Sequence, residues 1–254
     1  MEKLVIGNMK MNLLSPLERK RYLSLLKKEL KGQKLKQVQL ILCPPFIHLE
    51  EFKKSKIKKI NLGAQNMFWE RKGSFTGEIS PAMLKNIGCE YVILGHSERR
   101  RYFAERDEEI NLKLISALKN GLQPILCVGE NKSQRKNSAA VIVNQLQNCL
   151  NKVSRPKMEK VVICYEPVWA ISSNNPDHLP TTDEIMSARL LIKKFLVEKY
   201  GLKTAEKVKI IYGGSVSSTT VKQTCEDSGM EGVLIGKASL EPFEFIKIAK
   251  IINK

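Results

Sequence analysis

Several features that commonly mark a protein's role are missing from this chain of 254 residues. No segment approaches the roughly 20 consecutive apolar residues of a membrane span. The first residues, Met1-Glu2-Lys3-Leu4-Val5-Ile6-Gly7, are too short an apolar stretch for a signal peptide and carry no small-residue cleavage site, so a cytoplasmic protein is expected. The six cysteines, Cys43, Cys89, Cys127, Cys149, Cys164 and Cys225, form no C-x-x-C pair and sit mostly in or beside apolar runs, where a thiol behaves as a small hydrophobe. Structural disulfides are therefore not expected. Histidine is scarce: His48, His96 and His178 lie far apart and none belongs to a ligand motif, so no metal is expected.

Acidic residues are also in short supply. There are 26 against 43 basic ones, a net charge of +17, and residues 1–60 alone hold 15 Lys/Arg and 5 Asp/Glu. Such an excess can mark a nucleic-acid or membrane-surface binder. No aromatic residues interleave the run as a stacking platform would require. Lys27, Lys28, Lys31, Lys34 and Lys36 instead flank the end of one helical pattern and read as a solvated face. A positive field also speeds capture of a small anion.

What the chain does have is repetition of strand and helix. Short apolar runs bounded by turn residues predict eight strands, at 4–7, 39–43, 60–64, 91–94, 124–128, 161–165, 209–212 and 232–235. Between them lie helical patterns with clear starts. Ser15-Pro16-Leu17-Glu18 combines an N-cap serine, a proline at the first helical position and a glutamate three residues after the cap. Tyr22, Leu25, Leu26 and Leu30 follow on one face. Thr181 opens a second helix, with Ile185, Ala188, Ile192, Phe195 and Leu196 as its stripe. A third runs from about Asp107 and stops at Gly121. No linker or low-complexity segment interrupts the alternation. Eight βα units in about 250 residues match a closed parallel (β/α)8 barrel, one α/β domain over residues 1–254. The rival is an open doubly wound sheet, but the first strand-to-helix turn lacks a G-x-G-x-x-G fingerprint.

In such a barrel the residues following each strand gather at one rim. Here the first strand delivers Asn8 and Lys10, the third Gln65 and Asn66, the fourth His96 followed by Ser97, Glu98 and Arg99, and the sixth Glu166. The seventh and eighth deliver Gly213-Gly214-Ser215 and Gly236-Lys237. Glycine pairs let backbone N–H groups approach a phosphate closely, although each pair alone is also a plain tight turn. Lys10 suits an anionic substrate or an ordinary salt bridge, and Glu98 either holds Lys10 or its own helix start. His96 alone reads more readily as a satisfied core histidine. Glu166 is harder to dismiss, because a carboxylate directly after five apolar residues needs partners or a function.

Asn8-Met9-Lys10-Met11-Asn12, Gly63-Ala64-Gln65-Asn66, Phe75-Thr76-Gly77-Glu78, Val92-Ile93-Leu94-Gly95-His96-Ser97-Glu98-Arg99-Arg100, Tyr165-Glu166-Pro167-Val168-Trp169-Ala170-Ile171 and Tyr212-Gly213-Gly214-Ser215-Val216 resemble the triosephosphate isomerase family, in order and over essentially the whole chain. The resemblance implies an isomerase that interconverts dihydroxyacetone phosphate and D-glyceraldehyde 3-phosphate through an enediolate, in glycolysis and gluconeogenesis. It implies Glu166 as the base that shuttles the proton and His96 as an uncharged electrophile, its charge disfavoured by the helix beginning beside it. Lys10 is then the electrostatic stabiliser and Asn8 helps hold substrate. Glu98 stands behind Lys10, and backbone groups of Ser172, Ser215, Gly236 and Lys237 hold the phosphate. Pro167-Val168-Trp169 becomes the hinge of a lid. No cofactor is implied. A homodimer is expected through the Phe75-Thr76-Gly77-Glu78 loop, with Thr76 at its tip.

The chain departs from the family pattern at four places. Met9 stands for a usual tryptophan and Ser74 for alanine. The lid reads Ile171-Ser172-Ser173-Asn174 where Ile-Gly-Thr-Gly is typical, which removes two residues that adopt φ > 0 freely. Lys237 replaces the second glycine of the phosphate pair. Two rival functions remain open to the sequence. A metal-dependent phosphosugar epimerase lacks a ligand set at the strand ends. A barrel kept for binding RNA or acidic partners has the lid changes and the net charge of +17 in its favour.

Overall fold

The computed structural model describes residues 2–171, 176 and 178–253. Among them eight strands, all parallel, close into one barrel in sequence order. They are β1 (Lys3–Asn8), β2 (Val38–Cys43), β3 (Ile60–Ala64), β4 (Tyr91–Leu94), β5 (Gln123–Val128), β6 (Val162–Tyr165), β7 (Ile210–Tyr212) and β8 (Gly232–Ile235). The ring is completed where β1 pairs with β8, Leu4 opposite Gly232 and Gly7 opposite Ile235. Each predicted strand is present, shifted by at most a residue at either end. The fold is the single-domain (β/α)8 barrel that the alternation implied.

The continuous apolar strands follow from two cores sharing one sheet. Leu4, Ile6, Ile41, Ile93, Ile125, Cys127 and Leu234 point into the lumen and fill it. Their neighbours Val5, Leu40, Val92, Leu94, Leu126 and Val233 point outward beneath the helices. Because side chains alternate across a strand, burying both faces removes the polar alternation that a half-exposed sheet would show.

The outer layer consists of α1 (Pro16–Leu30), α2 (Leu49–Lys54), α3 (Pro81–Ile87), α4 (Ser97–Tyr102), α5 (Asp107–Lys119), α6 (Ser138–Cys149), α7 (Arg155–Met158), α8 (Thr182–Tyr200), α9 (Leu202–Lys207) and α10 (Pro242–Ile252). After β7 the crossover is a short π-helical stretch, Lys222–Asp227. The expected starts are made. Ser15 Oγ accepts from the Glu18 N–H while Glu18 Oε2 accepts from the Leu14 N–H. At α8 Thr181 and Glu184 cap each other reciprocally. The stripes differ in detail: Leu25 is exposed and Phe195 only half-buried, whereas Tyr22 is buried and donates to the Ser239 carbonyl at 2.9 Å. The lysines at 27, 28, 31, 34 and 36 are all exposed.

Candidate active site

The strand ends converge on a cavity of about 270 Å³ lined by Asn8, Lys10, His96, Glu166, Gly213 and Lys237, among others. Its size suits a ligand somewhat below the drug-sized range. A larger cleft of about 830 Å³ runs beside it between Arg101, Arg135, Trp169 and His178. That cleft contains neither Lys10 nor Glu166, and the candidate residues at the strand ends meet in the smaller cavity.

Glu166 leaves β6 with its N–H bonded to the Val128 carbonyl of β5, which fixes where its side chain starts. The side chain is 2% exposed. Its Oε2 accepts from the Ser97 N–H at 3.2 Å. Its Oε1 lies 3.1 Å from His96 Nε2 and makes no hydrogen bond. A buried carboxylate oxygen without a donor costs free energy that a site for a reacting molecule can use.

His96 forms the N-cap of α4 with Gly95 before it at φ +70°. Its Nδ1 accepts from the Glu98 N–H at 3.3 Å. A ring nitrogen that accepts carries no proton, so Nε2 bears the ring proton and faces the cavity beside Glu166. Helix geometry thereby sets the tautomer.

Lys10 reaches the same cavity from β1. Its Nζ donates to Glu98 Oε1 at 2.6 Å, so the expected pairing of these two is made. The backbone at Lys10 is left-handed, φ +52°, unusual for a long side chain. Asn8 Oδ1 accepts from its N–H at 3.1 Å, and Gln65 Nε2 donates to its carbonyl at 2.9 Å. Asn8 is thus committed partly to shaping the turn. Met9, between them, is fully buried.

Gly236 and Lys237 border the cavity, with Lys237 exposed. Ser215 is placed differently: its N–H and Oγ both donate to the Ala170 carbonyl, at 3.2 and 2.8 Å. Ser172 and the lid sequence 172–175 lie outside the described residues.

Two partners of the site escaped the sequence reading. Glu130, just past β5, is buried and accepts from Trp169 Nε1 at 2.8 Å and from the Tyr165 hydroxyl at 3.3 Å. Burial pushes its carboxyl above the usual range, partly offset by those donors. It ties the expected hinge to the barrel. The signal was present, since Val128-Gly129-Glu130 repeats the pattern of an acid just beyond a strand that singled out Glu166. The second is a buried ion cluster behind α4, in which Glu105 pairs with Lys113 and, at 3.1 Å, with Arg99, while Lys113 also bonds Asn66. Among the described residues, one set is spaced to hold a metal ion: Cys127, Cys164 and Glu166.

A carboxylate and an imidazole meeting where the strands of a parallel barrel end is an arrangement suited to moving protons. Comparison with known proteins carries this further: the family model described as triosephosphate isomerase matches residues 3–252. The triosephosphate isomerase of Thermoanaerobacter pseudethanolicus is 42% identical over 253 residues, 98% of each chain. That of Caldanaerobacter subterraneus subsp. tengcongensis is 46% identical over 220 residues, 85% of this chain and 86% of the relative. That of Endomicrobium trichonymphae is 42% identical over 250 residues, 97% of each. The chain belongs to the triosephosphate isomerase family.

Proposed function

We propose that the cavity interconverts dihydroxyacetone phosphate and D-glyceraldehyde 3-phosphate, as an isomerase of glycolysis and gluconeogenesis, with residues 1–254 working as one domain. In this reading Glu166 takes a proton from the carbon next to the carbonyl. The electron pair moves onto the carbonyl oxygen to give an enediolate. The same carboxyl then returns a proton to the neighbouring carbon, and the charge collapses into the new carbonyl. To reach substrate, Glu166 must leave the Ser97 N–H that now holds it. His96 Nε2–H bonds the oxygen on which charge develops, where a preorganised donor has its largest effect. Lys10 supplies positive charge to the same oxygens, aimed by Glu98.

Backbone N–H groups of Ser172, Ser215, Gly236 and Lys237 would take the phosphate, with Asn8 lining the same cavity and helping to hold substrate. Ser215 can take part only by releasing the Ala170 carbonyl at the base of the lid, which couples phosphate capture to lid movement. No cofactor or metal is needed for these steps. The observation that carries the reading is the approach of a buried, unpartnered Glu166 oxygen to the ring nitrogen of His96, 3.1 Å away.

A homodimer through the Phe75-Thr76-Gly77-Glu78 loop fits the surface. Exposed apolar side chains sit on successive rim loops, Met11 and Leu14 after β1, Ile47 after β2, Phe75 after β3, Tyr102 and Phe103 after β4. Exposed apolar side chains on neighbouring strand-end connections suit an interface. No described helix is long and apolar enough to cross a membrane. The proposal gives the basic surface no dedicated nucleic-acid partner, and the protein a place in the cytoplasm.

A coupled assay starting from glyceraldehyde 3-phosphate tests the reading. Glu166→Asp retracts the carboxylate by roughly 1 Å and should cost on the order of 10²-fold in kcat with KM little changed. Full turnover in that variant rejects Glu166 as the base.

A further inference from the structure

Cys127 of β5 and Cys164 of β6 are register partners on adjacent strands, and both point into the lumen one layer below the cavity. Neither has a part in the proton transfer. The two sulfurs and one Glu166 oxygen all lie within 4.8 Å of one another. Ligands on a tetrahedral ion with metal–sulfur bonds of about 2.3 Å stand roughly 3.8 Å apart, so small side-chain rotations close the set.

A second observation points to the same spot. Glu166 Oε1 is buried and has no hydrogen-bond partner. It shares with Cys164 the space over Gly213, where an added Cβ would stand 2.5 Å from the sulfur and 3.5 Å from Oε1. Only glycine leaves that space open between thiol and carboxylate. Two sulfurs and one oxygen are a soft donor set that favours d¹⁰ cations over magnesium or calcium.

We propose that Cys127, Cys164 and Glu166 form an inhibitory site for a thiophilic divalent cation of the zinc and cadmium kind. The ion enters through the substrate cavity that Glu166 lines. Two thiol protons pass to solvent as two metal–sulfur bonds and one metal–oxygen bond form, with no change of oxidation state. A carboxylate held by the ion cannot reach substrate. That last step rests on the proposal that Glu166 is the base.

The test uses Cd²⁺ on the purified full chain under reducing, chelator-free conditions. Wild-type protein should show a thiolate-to-cadmium charge-transfer absorption that saturates at one ion per chain. Turnover should fall in proportion to occupancy, and a chelator should reverse both. Cys164→Ala should keep its isomerase activity while losing the band and the inhibition. Cys164→Ser, closer in volume, serves if the alanine variant fails to fold, and Cys225→Ala should behave as wild type. Unchanged absorption and inhibition in both Cys164 variants overturn the proposal, as does a saturated wild-type chain with full turnover. Lack of turnover in the metal-free wild type counts against the isomerase reading alone, because the absorption band still decides the site.

Discussion

Gly213 is where a single methyl group would meet the Glu166 side chain directly. A Cβ there would stand 2.5 Å from Cys164 Sγ and 2.8 Å from Glu166 Cγ, where ordinary contact begins at 3.4 Å. Gly213→Ala therefore pushes the Glu166 stem by about 0.6 Å, and since a 1 Å misplacement costs about 10²-fold, a loss on the order of tenfold in kcat follows. The Gly213 N–H stays on the Tyr165 carbonyl, so KM should move little. The sulfur overlap acts on stability instead. Overpacking costs about 1–3 kcal/mol, and for a chain of this size each kcal/mol lowers Tm by roughly 2–4 °C. The two effects are separable. Cys164→Ala in the Gly213→Ala background removes the sulfur contact and should restore Tm, while the kcat deficit persists because the Glu166 contact remains. Coupled kinetics and thermal melts on the single and double variants give both readings. Wild-type kcat in Gly213→Ala, or a Tm loss that Cys164→Ala does not recover, refutes the argument.

Glu105→Leu leaves Lys113 buried without its carboxylate and should destabilise the fold by about 3–5 kcal/mol in chemical denaturation, with Lys113→Met in the same chain recovering most of the loss. Glu130 has a carboxyl raised by burial, so its contribution to stability is present below its ordinary value of 4.5 and is lost as pH climbs through the raised native value. Glu130→Gln should accordingly flatten the stability–pH curve above pH 4.5, measured by denaturation midpoints, and a curve of wild-type shape discounts that role. Sedimentation of the wild type should give a dimer, and Phe75→Asp should shift it toward monomer; a wild-type monomer at micromolar concentration removes the rim interface.

The barrel was legible because its strands are buried on both faces, which makes most of them short apolar runs such as Val161-Val162-Ile163. Glu166 and His96 were legible for the opposite reason, as polar residues where an apolar run ends. Side chains whose partners come from elsewhere in the chain were not. Lys113 sits mid-helix, where a lysine reads as solvent-facing, and the buried Glu105 and Asn66 from outside that helix make its burial tolerable. Cys127 and Cys164 are paired by strand register, which no spacing motif records. The exposure of Leu25, in turn, comes from how α1 is rotated on the sheet, which a helical stripe constrains only to within a residue.

The seam between β1 and β8 also orders events in time. The strand that completes the ring is the last of the eight to be synthesised, and it carries Gly236 and Lys237 at its exit. A nascent chain already holding Lys10, His96 and Glu166 still has an open sheet edge on β1, which invites wrong pairing until β8 arrives. Turnover should accordingly switch on as one step when the C-terminal strand docks, and a chain permuted to place β8 ahead of β1 should become competent with the seam already joined.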